Sequence, residues 1–276
     1  MAITVWSGNS IGHEGDYGYG PNWSEGSTPS TNDDVMLTGP QSVTHTLAQS
    51  GAAVDIWRVD SEFHGTIGSP SEVLALDPNS IEVYNTGGPS FISVASATTA
   101  NIFGTWVPPK GPPCTGLSIE GAGNLSVNLL KGFFQAGRPN SPLGTLTLLT
   151  MGSLGGRDSD AYALIPNGSA ATTIKVLSGI VDVYVATTTL QVWGGIVNIF
   201  GSGTIGTLTV NGGTVYPQGS GTITTLNANG GVVDFTRGPA TATVTTMNSN
   251  GAVVTIDPNV QTITNRVASQ GIVAIA

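Results

Sequence analysis

Gly179-Ile180-Val181-Asp182-Val183, Gly195-Ile196-Val197-Asn198-Ile199, Gly213-Thr214-Val215, Gly231-Val232-Val233, Ala252-Val253-Val254 and Gly271-Ile272-Val273 repeat one pattern through the last third of the chain. The aligned valines lie 16, 18, 18, 21 and 19 residues apart. A unit of that length is too short for a helix pair or a propeller blade and fits one coil of a β-solenoid. Ile174, Leu190, Leu208, Leu226 and Met247 each precede the Gly or Ala by five positions, and Arg266 takes that slot in the last unit with Val267 beside it. The glycine permits a corner or a close approach between coils. Beyond it, residues two apart share the inward face: Val181/Val183, Val197/Ile199, Val233/Phe235, Val254/Ile256 and Val273/Ile275. Pro217 breaks this pattern and predicts an early turn in the third coil. Gly201-Ser202-Gly203, Gln218-Gly219-Ser220-Gly221 and Asp257-Pro258-Asn259 supply turns between units.

The position between Gly and Val faces outward by the same alternation, yet it holds Ile180, Ile196, Val232, Val253 and Ile272. Stacked coils turn these into an apolar ladder, which calls for a partner surface. The sequence also stops on Gly271-Ile272-Val273-Ala274-Ile275-Ala276 without a polar cap, and an apolar last coil exposes strand edges. Both features predict lateral self-association, with a homotrimer the expected state. The alternative is that an N-terminal or inserted loop covers the ladder within one subunit.

Charged residues make up only 9% of the 276, against roughly 25% in ordinary soluble domains. With 39 glycines and abundant Thr, Ser, Asn and Val, this composition suits short stacked strands with tight corners. Periodic apolar residues, 39% of the chain, argue against disorder. The net charge of −9 arises from 17 acids and 8 bases, and twelve of the acids precede residue 121. With no basic stripe, nucleic-acid binding is excluded as an expectation. No run of about 18 apolar residues predicts a membrane span. Met1-Ala2-Ile3-Thr4-Val5-Trp6 has neither a basic start nor an apolar signal core, so Sec export is not expected. Cys114 is the only cysteine, which precludes an internal disulfide and reads as an inert thiol.

Residues 1–45 read as a turn-rich opening, with entry to a first strand at Asp33-Asp34-Val35-Met36-Leu37. Short alternating runs follow: Val54 to Val59, Val73 to Leu76, Ile81 to Tyr84, Phe91 to Val94 and Leu117 to Ile119. Pro108-Pro109 and Pro112-Pro113 mark a loop. Leu143-Gly144-Thr145-Leu146-Thr147-Leu148 echoes Ile205-Gly206-Thr207-Leu208-Thr209-Val210, and Gly152 to Ala163 reads as a longer loop inserted in one coil. No run of 12 residues has helical periodicity. The expected fold is all-β: an N-terminal β-rich attachment region over 1–140, then a short-coil β-solenoid (β-helix) over 141–276.

Candidate chemistry is sparse. Asp55, Asp60 and Glu62 cluster in sequence, and Asp158 and Asp160 lie two apart on the inserted loop. Sugar-bond cleavage needs two carboxylates facing across a groove, which spacing alone does not place, so these acids read as solvated or turn-capping. Asp182 and Asp234 share one repeat position with Asn198 and Tyr216, a mixed outward stripe. His13, His45 and His64 match no metal-ligand spacing, and Asp158-Ser159-Asp160 lacks the Gly and Glu of a calcium loop. No nucleophile motif or phosphate-binding loop occurs, and no cofactor is expected. Trp6, Tyr17, Tyr19 and Trp23 are candidates for particle attachment or ligand stacking, or for a small local core in a Gly-rich segment.

Trp6-x-Gly8, Asn22-Trp23-Ser24-x-Gly26, Pro29 and Asp33-Asp34-Val35 resemble the start of many solenoid adhesin-like and phage-type β-helical proteins. Phe63-His64-Gly65-Thr66-Ile67-Gly68-Ser69-Pro70 is similar to a segment recurrent in tailed-phage virion proteins. The resemblance implies a bacteriophage virion accessory protein: a capsid decoration, head-fibre or tail-spike-like component, commonly trimeric. The expectation is then a non-enzymatic virion protein, assembled in the host cytoplasm. Its partners would be copies of itself, the major capsid or other virion proteins, and host surface glycan. The alternative is a tail-spike or tail-fibre protein that binds or cleaves host polysaccharide.

Overall fold

The computed structural model describes residues 3–44, 53–107, 116–152, 161–237, 241–257, 262–268 and 271–275. The Pro-rich loop at 108–113, most of the loop at 152–163 and the turn residues Pro258 and Asn259 fall outside them. The fold is all-β: strands take up 54% of the chain and wind as a β-solenoid, with about 11 turns in total across two units. Among the described residues there is no α-helix, only a 3-10 turn at Gly20–Asn22. The units are Met1–Gly144 and Thr145–Ala276.

The first unit contains β1 (Ile3–Trp6), β2 (Asp34–Leu37), β3 (Ile56–Val59), β4 (Leu74–Leu76) and β5 (Ser80–Val83). It continues with β6 (Ser90–Val94), β7 (Thr98–Ile102), β8 (Leu117–Leu129) and β9 (Gly132–Arg138), and the boundary falls within β10 (Ser141–Met151). Strands β1, β2, β3, β5, β7 and the second half of β8 pair in parallel, one coil after another. The N-terminal β-rich region is therefore itself coiled. Its first strand is β1, ahead of the expected entry at Asp33: Ile3-Thr4-Val5-Trp6 lies in register on Asp34–Leu37 and buries Thr4 and Trp6. Trp6, Leu37, Val59, Val83, Ile102 and Leu129 stack in one inward column, each fully shielded from solvent.

A second sheet in this unit joins β4, β6, β8 and β9. Its outer face is covered, since Phe91, Ser118, Glu120 and Gln135 are buried. Arg138 clamps that face. Its guanidinium grips Glu120 through two bonds, Nε to Oε2 at 2.5 Å and Nη2 to Oε1 at 2.8 Å, lies 5.5 Å from the Phe91 ring centroid and donates to the Pro70 carbonyl. The bond to Glu120 holds the Arg138 pKa above its ordinary value.

The second unit alternates two strand series. One comprises β11 (Ala161–Ile165), β13 (Ile180–Val183), β15 (Ile196–Ile199), β17 (Thr214–Pro217), β19 (Val232–Asp234), β21 (Val253–Ile256) and β23 (Ile272–Ile275). The other follows the end of β10 with β12 (Ala171–Val176), β14 (Thr187–Val192), β16 (Ile205–Val210), β18 (Thr222–Ala228), β20 (Thr243–Ser249) and β22 (Thr262–Ala268). Ile174, Leu190, Leu208, Leu226 and Met247 stack fully buried, as do Val181, Val197, Val215, Val233 and Val254. Each such side chain contributes about 1.5–3 kcal/mol by leaving water. Arg266 lies in register with Met247 and Val267 with the outward Asn248, so β22 keeps the facing of the earlier strands and leaves Val267 exposed.

Two local expectations change. Pro217 ends no coil early: it completes β17, buried, in register with Ile199, and Gln218 N–H donates to the Ile199 carbonyl at 2.7 Å. A proline is tolerated there because the missing donor is at the strand end. The echo of Leu143–Leu148 in Ile205–Val210 is not the coil register either. Successive pairings align Leu146, not Leu143, with Ile205. The apolar spacing i, i+3, i+5 occurs in both frames, but the frame used buries Leu146, Leu149 and Met151 completely, while Leu148 points outward.

The repeat glycines are required where the corner returns to the sheet. Gly195 and Gly213 have φ of +74° and +70°, and a Cβ would lie 2.3 Å and 2.6 Å from the carbonyl oxygens of Gly179 and Gly195 in the preceding coil. Leu208→Ala is expected to cost the second unit about 2–5 kcal/mol in urea unfolding, while outward Thr207→Ala changes it by about 0.5 kcal/mol or less. Equal effects from the two variants would refute the assigned facing.

Candidate functional site

The in-register pairing of the second unit places Tyr162, Ile180, Ile196, Thr214, Val232, Val253 and Ile272 in one column on the outside of a parallel sheet. All five apolar residues singled out from the repeat are in it. Ile180, Ile196 and Val253 are each 37% exposed and Ile272 64%, while Val232 and Thr214 are half-buried. Alternation fixes this facing, because their neighbours Val181, Val197, Val215, Val233 and Val254 fill the core. Neighbours in such a column are about 4.8 Å apart, close enough for their side chains to touch.

Two residues further along each strand runs a second column, Leu164 followed by the polar Asp182, Asn198 and Tyr216. Asp182 accepts from the Tyr162 hydroxyl at Oδ2 and from Asn198 Nδ2 at Oδ1, 2.7 Å away. Gln218 Nε2 reaches Asn198 Oδ1 at 3.4 Å. Burial, then the bond to the Asp182 carboxylate, pushes the Tyr162 pKa far up. Tyr184 is shifted in the same direction by burial and by the Asp182 charge. Asp182 is thus engaged by its own neighbours on this face. Arg237 lies 4.1 Å over the Tyr216 ring.

Both borders of the face carry aromatics that the repeat reading passed over. On one side Tyr184 and Phe200 stack with centroids 5.0 Å apart, so one face of each ring is occupied by the other. On the other, Trp193 is 50% exposed at the corner between β14 and β15. The signal was present: Tyr184 and Phe200 are 16 residues apart, the offset of Val181 and Val197.

The N-terminal aromatics separate differently. Trp6, Tyr17 and Trp23 are 0%, 2% and 3% exposed. Trp23 Nε1 donates to the Tyr17 carbonyl at 2.9 Å, and the Tyr17 and Trp23 rings meet edge-on at 4.8 Å. Trp6 packs beside Phe63 at 6.4 Å. These three pack into a local core, the alternative weighed for them in this Gly-rich segment. Tyr19 is half-buried and stacks on His13 at 3.9 Å.

Of the sequence-clustered acids, Asp55 accepts from Asn79 Nδ2 at 3.0 Å, Asp60 is half-buried and Glu62 is exposed. His13 contacts Asp16 at 3.8 Å and His64 approaches Asn85 at 3.4 Å. Asp158, Asp160, His45 and Cys114 lie outside the described residues. Among the described residues no group of three or more His, Cys, Asp or Glu is placed to hold a metal ion. No helix there is long and apolar enough to cross a membrane. No protein-family model, no curated protein and no solved structure matches the chain.

A titration separates the causes acting on Tyr162. Its folded-state pKa is raised, so the stability it contributes is complete below the ordinary value of 10.0 and is lost as pH rises beyond it. Absorbance-monitored titration should show Tyr162 ionising well after free tyrosine, and Asp182→Asn should bring it earlier while leaving it above 10.0. An unchanged midpoint in Asp182→Asn would remove the carboxylate from the account.

Proposed function

We propose that this chain is a non-enzymatic structural protein of a bacteriophage virion, of capsid-decoration or head-fibre type. In this reading the N-terminal unit attaches to the particle and the C-terminal coils join identical subunits, as a homotrimer. The observation that carries it is the outward column of Ile180, Ile196, Val232, Val253 and Ile272, held in register over successive coils. A solvent-facing column of branched aliphatic side chains is stabilised by burial against a partner. Few charges oppose such contact, since only 5 of the 17 acids follow residue 120. The β-solenoid is compatible with a structural or fibre-like role. The virion assignment comes from the resemblance of the opening motifs and of Phe63–Pro70. The carboxylates of Asp55, Asp182 and Glu120 are each tied to a neighbouring side chain, which supports a non-catalytic role.

Light scattering tests the assembly. The wild type should run at a multiple of 28.0 kDa, and Ile196→Lys or Val253→Lys should give smaller species. A monomeric wild type would sink the self-association. Peptides of this chain should also be abundant in purified particles of its source phage, and their absence would defeat the virion assignment.

A further inference from the structure

The chain's four Asn-Gly pairs all fall in the second unit: Asn167-Gly168, Asn211-Gly212, Asn229-Gly230 and Asn250-Gly251. The last three occupy one corner of successive coils, since Val210, Ala228 and Ser249, which precede them, pair in register. Two of these corners are alike. Gly213 and Gly231, one residue further on, take the left-handed backbone at φ of +70° and +71°. The Gly212 and Gly230 N–H groups donate to the Val192 and Val210 carbonyls at 3.3 Å and 3.1 Å. The next corner differs because buried Ala252 stands where the second glycine stood. A Cβ disfavours the left-handed region, so that conformation shifts to Gly251, whose φ is +97°. Asn250 N–H still donates to the Ala228 carbonyl at 2.8 Å, but among the described residues no backbone carbonyl accepts from Gly251. Asn250 and Gly251 are both exposed.

We infer that Asn250 is a site of spontaneous modification, where the asparagine converts to aspartate and isoaspartate through a succinimide. The Gly251 nitrogen, once deprotonated, attacks Asn250 Cγ, and the side-chain nitrogen departs as ammonia. Water then opens the five-membered ring at either carbonyl. Cleavage of the bond from nitrogen to Cγ leaves aspartate. Cleavage of the bond from nitrogen to the main-chain carbonyl carbon leaves isoaspartate, with the backbone running through Cγ. One water enters and one ammonia leaves, so no oxidant, reductant or enzyme is needed. Glycine after asparagine favours the attack because no Cβ blocks the approach of nitrogen to Cγ. An N–H held by a carbonyl is withdrawn from the reaction until its corner opens. That protects Asn211 and Asn229, while the turn shifted by Ala252 leaves Asn250 unprotected. Asn167-Gly168 is the comparison within the same chain. Both residues are exposed between β11 and β12, Gly168 has φ of +101°, and its N–H likewise meets no backbone acceptor among the described residues. The modification goes beyond the proposed function and stands without it. Its product at Asn250 places a carboxylate three residues before Val253 of the outward column.

Peptide mass spectrometry on the folded full chain, held in mildly alkaline buffer and sampled over time, reads the reaction as replacement of NH2 by OH. Peptides covering Asn167 and Asn250 should convert about tenfold faster than those covering Asn211 and Asn229, the factor expected from opening one net backbone hydrogen bond. In urea all four should convert at similar rates, because they then share the same Asn-Gly chemistry and no corner protects any of them. Ala252→Gly restores the second glycine and should slow Asn250 to the rate of Asn229, with Asn167 unchanged. If Asn250 converts no faster than Asn229 in the folded wild type, the inference is wrong. If Ala252→Gly keeps Asn211 and Asn229 protected yet leaves Asn250 fast, the shifted turn is not the cause and the corner account fails.

Discussion

Ile196 N–H donates to the Gly179 carbonyl, Thr214 to Gly195, Val232 to Gly213, Val253 to Gly231 and Ile272 to Ala252, each at 2.8–3.0 Å. This bond, repeated at the same place in successive coils, is the constraint from which the second unit follows. It fixes every residue of a strand against its counterpart one turn away. Whatever the sequence puts at a repeat position is therefore multiplied into a column, inside or outside. Inside, columns of Leu and Val supply the core; outside, columns become stripes of uniform chemistry.

The same multiplication explains the polar contacts. Asn229 Nδ2 donates to Asn211 Oδ1 at 3.0 Å and Asn248 Nδ2 to Asn227 Oδ1 at 2.8 Å, and in the first unit Asn128 does so to Asn101 at 2.8 Å. An amide is both donor and acceptor, so stacking equal amides satisfies each through the next. Opposite charges serve similarly between neighbouring coils, as Arg58 and Glu82 do at 2.7 Å. The cost is that an unfavourable outward residue is repeated too, as in the column of exposed Ile180, Ile196, Val253 and Ile272 with half-buried Val232.

Column logic also shows where sequence reading is strong and where it is weak. The Gly-x-Val units could be read from spacing because Gly179, Gly195, Gly213 and Gly231 take positive φ, and their valines alternate without interruption. Inward and outward assignment of Ile180, Ile196, Val232, Val253 and Ile272 followed directly. In the first unit coil lengths vary and no short motif recurs, so the parallel pairing of Ile3–Trp6 with Asp34–Leu37, across a turn-rich segment, had no local signature. The Leu143–Leu148 echo misled because two overlapping frames share one apolar spacing, and only packing selected the frame that buries Met151.

By itself, the sequence determined the all-β class, the solenoid, the core valines and the outward apolar column, since all of these are periodic and period survives without coordinates. Tertiary structure decided what is not periodic. It drew Trp6, Tyr17 and Trp23 into a local core, although an aromatic in a Gly-rich stretch is equally suited to solvent and to packing. It brought Arg138 to Glu120, Phe91 and Pro70 over as many as 68 residues. Such meetings depend on how far the chain travels before it returns, and only the folded coils set that distance.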